Sequence, residues 1–431
     1  MTPPASTALL TDHYELTMLA AALRDGTAER RCTFEVFARS LPAGRRYGVV
    51  AGAGRLMDAL AEFHYGEDEL ASLEPVLDQS TLAWLRDFTF RGDIDGYREG
   101  ELYFPGSPVL SVSGSFAECV VLETLVLSIL NHDSAIASAA ARMVSAARGR
   151  PLIEMGSRRT HEEAAVASAR AAYLAGFTTT SNLEAGRRYG VPTSGTSAHS
   201  FTLLYTDASG PDEAAAFRSQ ISALGVDTTL LVDTYDITAG IATAIEVAGT
   251  GLGAVRIDSG DLGVMAANAR AQLDSLGATS TKVVLSGDLD EYAIAGLRAE
   301  PVDAYGVGTS LVTGSGAPTA GMVYKLVSVD GVPVAKRSTD KATRGGAKHA
   351  VRRARDTGTV VEELVHPADA AVDLGPHDRT LMLAMVRGGE VLEGLPSLAQ
   401  ARDHLAAGLV SLPWEGLKLS KGDPAIPTTF A

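Results

Sequence analysis

One histidine of this chain lies in a run of small, hydroxyl-bearing residues, Gly195-Thr196-Ser197-Ala198-His199-Ser200. Neutral imidazole is nucleophilic near pH 7 and can accept a phosphoryl group, whereas a serine needs a separate base to do so. Backbone N–H groups exposed in such a turn suit contact with a phosphate. A histidine that only caps a turn would read the same way, so the motif needs company. Val255-Arg256-Ile257-Asp258-Ser259-Gly260-Asp261 supplies some, ending an apolar run in a cation and two acids. Arg256 and Asp258 alternate by two, so on a strand both project from one face. There they can bind a polar ring and a sugar diol together. The alternative is a salt-bridged rim with a helix cap at Ser259 or Asp261.

Two glycine-bearing tips follow, Gly287-Asp288 after Val283-Val284-Leu285, and Gly306-Val307-Gly308-Thr309-Ser310 after Ala304. Glycine lets backbone N–H groups approach an anion closely, and late strands of α/β barrels commonly hold phosphate in this way. Neither tip matches a P-loop or a dinucleotide fingerprint. Gly156-Ser157-Arg158-Arg159-Thr160-His161 pairs two arginines suited to carboxylate or phosphate. His161, near a helix start, reads as structural. Basic residues cluster at Lys336, Arg337, Lys341, Arg344, Lys348, Arg352 and Arg353, and earlier at Arg39, Arg45 and Arg46. In an acidic protein these runs suggest polyphosphate contacts, with a solvated basic loop as the alternative. The cysteines and histidines show no metal-ligand cluster, so Mg²⁺ is expected on substrate oxygens more than on protein.

What must position these residues is a recurring pattern. Short apolar runs at Leu152–Met155, Phe177–Thr180, Thr229–Asp233, Ala254–Ile257, Lys282–Leu285, Asp303–Val307 and Met322–Val327 read as strands. Helical patterns lie between them at His161–Ala175, Pro211–Leu224, Ile237–Val247, Asp261–Leu276 and Leu289–Arg298. The strands are apolar on both faces, as covered parallel strands are, and the alternation reads as βα units. Arg158, Asn182, Asp233, Asp258, Asp288 and Thr309 all fall at the C-terminal tips, where α/β sheets and barrels carry their sites. The expected fold is therefore α/β, an irregular α/β barrel over 115–327. Residues 1–114, with a helix at Tyr14–Arg24 and strands at Thr33–Phe37, Leu102–Phe104 and Val109–Val112, are expected to form a smaller α/β domain. Residues 328–431 should pack with them, through strands at Val332–Ala335, Val360–Leu364 and Thr380–Met385 and a hairpin turn at Asp330-Gly331.

A chain of 431 residues with 46% hydrophobic and 21% charged residues is ordinary globular material with room for two or three domains. The net charge of −15 argues against broad nucleic-acid binding, which needs a basic surface. Two unrelated cysteines, Cys32 and Cys119, make neither a disulfide framework nor a zinc site, and with no signal-like N-terminus the expectation is cytoplasmic. The most apolar helical stretch, Phe116–Leu130, carries Glu118 and Glu123 and reads as too short and too charged to span a bilayer.

Together, Thr11–Met18, Gly156–Arg159, Gly195–Ser200, Asp233–Asp236, Val255–Gly260, Gly306–Ser310 and Val323–Leu326 resemble the motifs of the nicotinate phosphoribosyltransferase family, in that family's order and over nearly the whole chain. The resemblance implies a type II phosphoribosyltransferase fold and a homodimer whose sites borrow the N-terminal segment of the partner. The implied reaction joins nicotinate to phosphoribosyl pyrophosphate, coupled to ATP hydrolysis, on the route from nicotinate to NAD.

The same resemblance assigns roles. His199 matches the phosphorylated histidine, with Asp233 the carboxylate expected to orient it. Tyr14 would stack on the pyridine ring across the dimer, and Arg158, Thr196 and Arg256 would hold nicotinate or a neighbouring phosphate. Asp258 would take the ribose hydroxyls, with Gly287, Asp288, Gly308 and Thr309 lining the 5′-phosphate pocket. Arg39, Lys341 and Lys348 are the expected contacts for pyrophosphate or ATP. Met155 departs from the aromatic residue that many relatives carry there. The neutral Ser181-Asn182 tip favours the acid substrate over the amide, since nicotinamide enzymes carry an acid at that place. The alternatives are thus a nicotinamide phosphoribosyltransferase, a quinolinate-using enzyme, and a catalytically silent ligand-binding homologue.

Overall fold

The computed structural model describes residues 6–336 and 344–431, in two compact units. One holds residues 139–316 and the other holds 1–138 with 317–431.

The 139–316 unit is built on a parallel sheet of six strands: β1 (Leu152–Glu154), β2 (Thr179–Thr180), β3 (Thr229–Leu231), β4 (Ala254–Ile257), β5 (Lys282–Leu285) and β6 (Ala304–Val307). Their order is β3-β4-β5-β6-β1-β2, a curled half-barrel with β3 and β2 as its outermost strands. Helices α1 (Glu162–Ala175), α2 (Leu183–Tyr189), α3 (His199–Leu204), α4 (Glu213–Leu224), α5 (Ile237–Ala248), α6 (Leu262–Ser275), α7 (Glu291–Gly296) and α8 (Thr309–Val312) fill the connections. Strand residues Leu230, Val255, Ile257, Val283, Leu285 and Tyr305 are buried, which explains runs apolar on both faces. Asp212, Asp236, Asp261 and Asp290 each cap the helix that follows through a side-chain oxygen. Of these, α5, α6 and α7 start within six residues of the ends of β3, β4 and β5.

The other unit carries a seven-stranded antiparallel sheet that interleaves the two chain ends, in the order 332–333, 322–329, 31–38, 110–115, 93–97, 382–387, 390–391. A second sheet joins 379–380, 348–354, 360–367 and 428–430. Asp330 and Gly331 both have positive φ, +49° and +77°, as the tight hairpin between 322–329 and 332–333 requires.

Three expectations change. Met322–Val329 does not close the parallel series: it pairs antiparallel with Arg31–Ala38, from Cys32↔Val329 to Ala38↔Met322. The Phe34 and Tyr324 rings stack at 4.8 Å across that pairing. The unit that carries the parallel sheet spans 139–316 in place of 115–327. The apolar stretch from Phe116 does not end at Leu130. It continues as a 25-residue helix, Glu123–Ala147, through Ala- and Ser-rich sequence, and by length and composition it could cross a membrane. It is mostly buried in protein, as a core helix is.

Candidate active site

Two cavities open along the C-terminal tips of the parallel sheet. The larger, about 420 Å³, is lined by Met155, Ser157 and Arg158 after β1, Ser181 after β2, residues 194–198, and Arg256 on β4. The smaller, about 260 Å³, is lined by Arg158, Arg159, Arg256, Asp258, Ser286, Gly287, Asp288, Gly308 and Thr309. Met155, Arg158 and Arg256 line both. Nine of the sequence-designated residues are thus brought together: Arg158, Thr196, Arg256, Asp258, Gly287, Asp288, Gly308 and Thr309 on the cavity walls, and His199 one residue beyond Ala198.

The histidine segment is anchored at its start. Thr180 N–H donates to Pro192 O and Ser194 N–H to Thr180 O, each at 2.9 Å, which adds the segment alongside β2. Residues 195–198 then run over the larger cavity to His199, the first residue of α3. His199 Nδ1 lies 3.1 Å from Thr234 Oγ1, and its Nε2 lies 3.9 Å from Asp233 Oδ1. Asp233 is held by its other oxygen, which accepts from Asp258 N–H at 2.8 Å and from Ser259 Oγ at 2.7 Å. The carboxylate expected beside the imidazole is there, and Thr234, which the sequence reading did not single out, faces the opposite ring nitrogen.

Three successive strands leave a buried polar atom with no hydrogen-bond partner among the described residues: Asp233 Oδ1 after β3, Arg256 Nε on β4 and Ser286 Oγ after β5. Buried polar groups are normally paired, because leaving one unpaired costs about 1–3 kcal/mol. Such atoms in one row at a sheet tip fit a site that a ligand completes. Glu213, at the start of α4, adds a fourth in Oε1. Burial, then the nearby Asp233 and Asp236, push its carboxyl up to about 7.

Gly287 has φ +107°, and a Cβ there would lie 2.8 Å from the Asp258 backbone oxygen, so only glycine lets the β4 and β5 tips approach this closely. Asp288 follows with φ +21°. Behind the arginine turn sits Glu154, 1% exposed, which accepts from Gly156 N–H and from Thr180 Oγ1. Burial pushes its carboxyl up, against the pull of those two donors. It fixes the turn that presents Arg158 and Arg159, both exposed. Asn182 is spent on structure: its Oδ1 caps α2 and its Nδ2 donates to Ser157 Oγ. Of the Ser181-Asn182 pair, only Ser181 lines the larger cavity. His161 caps α1.

The remaining designated residues lie in the other unit. Tyr14 is 46% exposed, near the start of helix His13–Asp25. Arg39 is exposed and has no partner among the described residues. Lys348 is committed: its Nζ lies 2.8 Å from Glu35 Oε2 and donates to the Arg344 and Gly346 carbonyls. Lys341 and Arg337 lie outside the described residues. Most of the other basic residues are also engaged. Arg352 is buried against Glu363 and Glu101, Arg353 pairs with Asp378, Arg46 binds carbonyls of residues 420, 421 and 423, and Arg344 stacks on Phe430.

Residues 9–131 match the family model for the nicotinate phosphoribosyltransferase (NAPRTase) N-terminal domain. Nicotinate phosphoribosyltransferase pncB1 of Mycobacterium tuberculosis is 68% identical over 424 residues, 97% of this chain and 94% of that protein. Nicotinate phosphoribosyltransferase of Bacillus subtilis is 38% identical over 341 residues, 75% of this chain and 67% of that protein. Among solved structures, human nicotinic acid phosphoribosyltransferase superposes with a TM-score of 0.83 at 26% identity, over 97% of each chain.

Proposed function

The chain belongs to the nicotinate phosphoribosyltransferase family, and we propose that it joins nicotinate to phosphoribosyl pyrophosphate with ATP hydrolysis coupled through a phosphohistidine at His199. The observation that carries the substrate choice is the larger cavity's wall: two arginines, Arg158 and Arg256, and no carboxylate among its lining residues. That wall suits the carboxylate of nicotinate and offers nothing to which the amide of nicotinamide could donate a charge-assisted bond.

In this reading nicotinate lies in the larger cavity, its carboxylate on Arg158 and Arg256 and its ring against Met155 and Thr196. The phosphoribosyl group lies in the smaller cavity, with its hydroxyls on Asp258 and its 5′-phosphate at the Gly287-Asp288 and Gly308-Thr309 tips. The pyridine nitrogen forms its bond to ribose C1 while the C1–O bond breaks and pyrophosphate leaves with the electron pair. Such a reaction needs alignment and charge stabilisation more than a protein nucleophile. Asp258 and Asp288 are hard oxygen donors on the same cavity and fit a Mg²⁺ held mainly by pyrophosphate. When bound, that ion offsets the charge building on the leaving group.

The coupling uses the other flank. Asp233 Oδ1, without a hydrogen-bond partner among the described residues and on the Nε2 side of His199, favours a proton on that nitrogen. The Nδ1 lone pair then bonds to the γ-phosphorus of ATP as its bond to ADP breaks and ADP leaves, and the Nδ1 contact with the Thr234 hydroxyl is given up. Hydrolysis of the phosphohistidine returns inorganic phosphate and free imidazole. Of the three residues expected to contact polyphosphate, Arg39 keeps that role in this reading, its side chain being exposed and without a partner among the described residues; Lys348 is held by Glu35. The working form is a homodimer, in which Tyr14 of one copy stacks on the pyridine ring bound by the other.

The test is incubation with phosphoribosyl pyrophosphate and Mg²⁺, offering nicotinate or nicotinamide, with and without ATP. The expected result is nicotinate mononucleotide and pyrophosphate from nicotinate, strongly enhanced by ATP. Product from nicotinamide overturns the substrate assignment, and an unchanged yield with ATP overturns the coupling.

A further inference from the structure

We propose that the Ser286 hydroxyl is a binding contact for the phosphoribosyl group, donating to its phosphate ester oxygens. This rests on the reading of the smaller cavity as the phosphoribosyl subsite. No sequence motif marks Ser286, and its position is what singles it out. It is 4% exposed, it lines the smaller cavity, and its Oγ has no hydrogen-bond partner among the described residues.

The backbone fixes where that hydroxyl sits. Ser286 N–H donates to Ile257 O at 3.0 Å, continuing the ladder in which Arg256 stands opposite Val284. Two residues further along each strand the register sets Asp258 beside Ser286. The two-residue period of a strand places both on the face that carries Arg256. On the β6 side, a Cβ at Gly306 would fall 3.1 Å from Ser286 Cβ, so the glycine keeps that flank open.

The chemistry of the neighbours is complementary. Asp258 can only accept hydrogen bonds when ionised, which suits ribose hydroxyls. Ser286 can donate, which suits an anionic oxygen and relieves the unpaired hydroxyl. A hydroxyl kept for the fold would have a protein partner, and alanine would fill this position without the cost of an unpaired polar group. Retaining serine is explained by a partner that arrives with substrate.

The experiment is Ser286→Ala in the full-length chain, against wild type. Expected are a roughly tenfold rise in KM for phosphoribosyl pyrophosphate, the size of one lost hydrogen bond to a charged group, and an unchanged KM for nicotinate. The ligand-free Tm should equal or exceed that of wild type, and the Tm rise on adding ribose 5-phosphate should shrink. An unchanged KM for phosphoribosyl pyrophosphate overturns the proposal. So does a ligand-free Tm lowered by several degrees, which would show that the hydroxyl has a structural partner. A wild-type chain that makes no mononucleotide overturns the functional reading itself and Ser286 with it, whereas an active wild type and an unaltered variant overturn Ser286 alone.

Discussion

Buried charge is used in opposite ways in two clusters, one in each unit. In the unit made of both chain ends, Arg352 is 1% exposed and lies 2.6 Å from Glu363 and 3.4 Å from Glu101. Glu101 also receives Arg379 and His404, and Glu363 receives the Tyr97 hydroxyl. Only Arg352 Nε of that cluster lacks a partner among the described residues. At the tips of the parallel sheet, Asp233, Arg256 and Ser286 each keep a buried polar atom unpaired among the described residues. The first arrangement is closed but for that one nitrogen and holds strands together, and the second is open and waits for a ligand. The same side-chain types build both, so residue identity does not distinguish structure from function; whether the polar atoms are already satisfied does.

The sharpest break of this comparison is at His199. His199→Ala should abolish phosphoenzyme formation and ATP hydrolysis outright while ATP-independent mononucleotide synthesis persists. The fold should be untouched, because the one side-chain hydrogen bond of the imidazole among the described residues is that to Thr234. Labelled phosphate from ATP on the protein, before and after the substitution, reads this directly. Coupling that survives the substitution would remove His199 from the mechanism.

Arg256→Met and Arg352→Met then test the two regions side by side. Removing Arg352 leaves Glu101 and Glu363 buried without their cation, which should cost about 3–5 kcal/mol, read as a lower urea midpoint with kcat of the folded protein unchanged. Removing Arg256 should leave the midpoint in place and cut kcat/KM for nicotinate roughly 10- to 100-fold, the size of a charge-assisted contact. The opposite pairing of outcomes would show that closure of a network does not separate support from binding.

These regions were not equally legible in the sequence. The parallel strands were, because burial on both faces makes them continuous apolar runs: Ala254–Ile257 and Lys282–Leu285 have the bounds the sequence suggests. Their tips were legible for the same reason, since Arg256, Asp258 and Asp288 interrupt apolar runs. The partner of Met322–Val329 was not, because periodicity marks a strand without saying that Arg31–Ala38, some 290 residues earlier, pairs with it. The basic run at 336–353 suggested phosphate, yet Lys348, Arg352 and Arg353 meet Glu35, Glu363 and Asp378. A cation and its carboxylate far apart in sequence leave no mark in either segment. Ser286, Glu154 and Glu213 escaped because nothing about their type or spacing is unusual, only where the fold leaves them; Thr234 sits within the Asp233–Asp236 motif, but only the fold sets it against His199.

Acid should separate the regions again, by a smaller margin. Burial alone would raise the Glu101 carboxyl, but Arg379, His404 and Arg352 outweigh it and hold the group well below the usual carboxylate range. A carboxyl depressed in the folded state contributes stability that is present above its unfolded value and is lost as pH falls toward the folded one. The closed network should therefore weaken below about pH 4.5. Glu101→Gln should be less stable than wild type at pH 7, with the difference narrowing as the pH falls. A constant difference across the acid range would mean that the network's charge does not govern the acid limb.

The smallest effect belongs to the open side. Glu213 is pushed up to about 7, first by burial and then by Asp233 and Asp236. A carboxyl raised in the folded state has the opposite sign: its proton favours the fold at low pH, and that contribution fades as pH rises from the unfolded value through about 7. Partial exposure to solvent keeps the effect modest. Glu213→Gln, neutral at every pH, should match wild type in Tm near pH 5 and exceed it slightly near pH 8. Equal Tm at both ends would mean that Glu213 ionises in the folded protein as readily as in the unfolded chain, and that its burial beside Asp233 and Asp236 carries no cost.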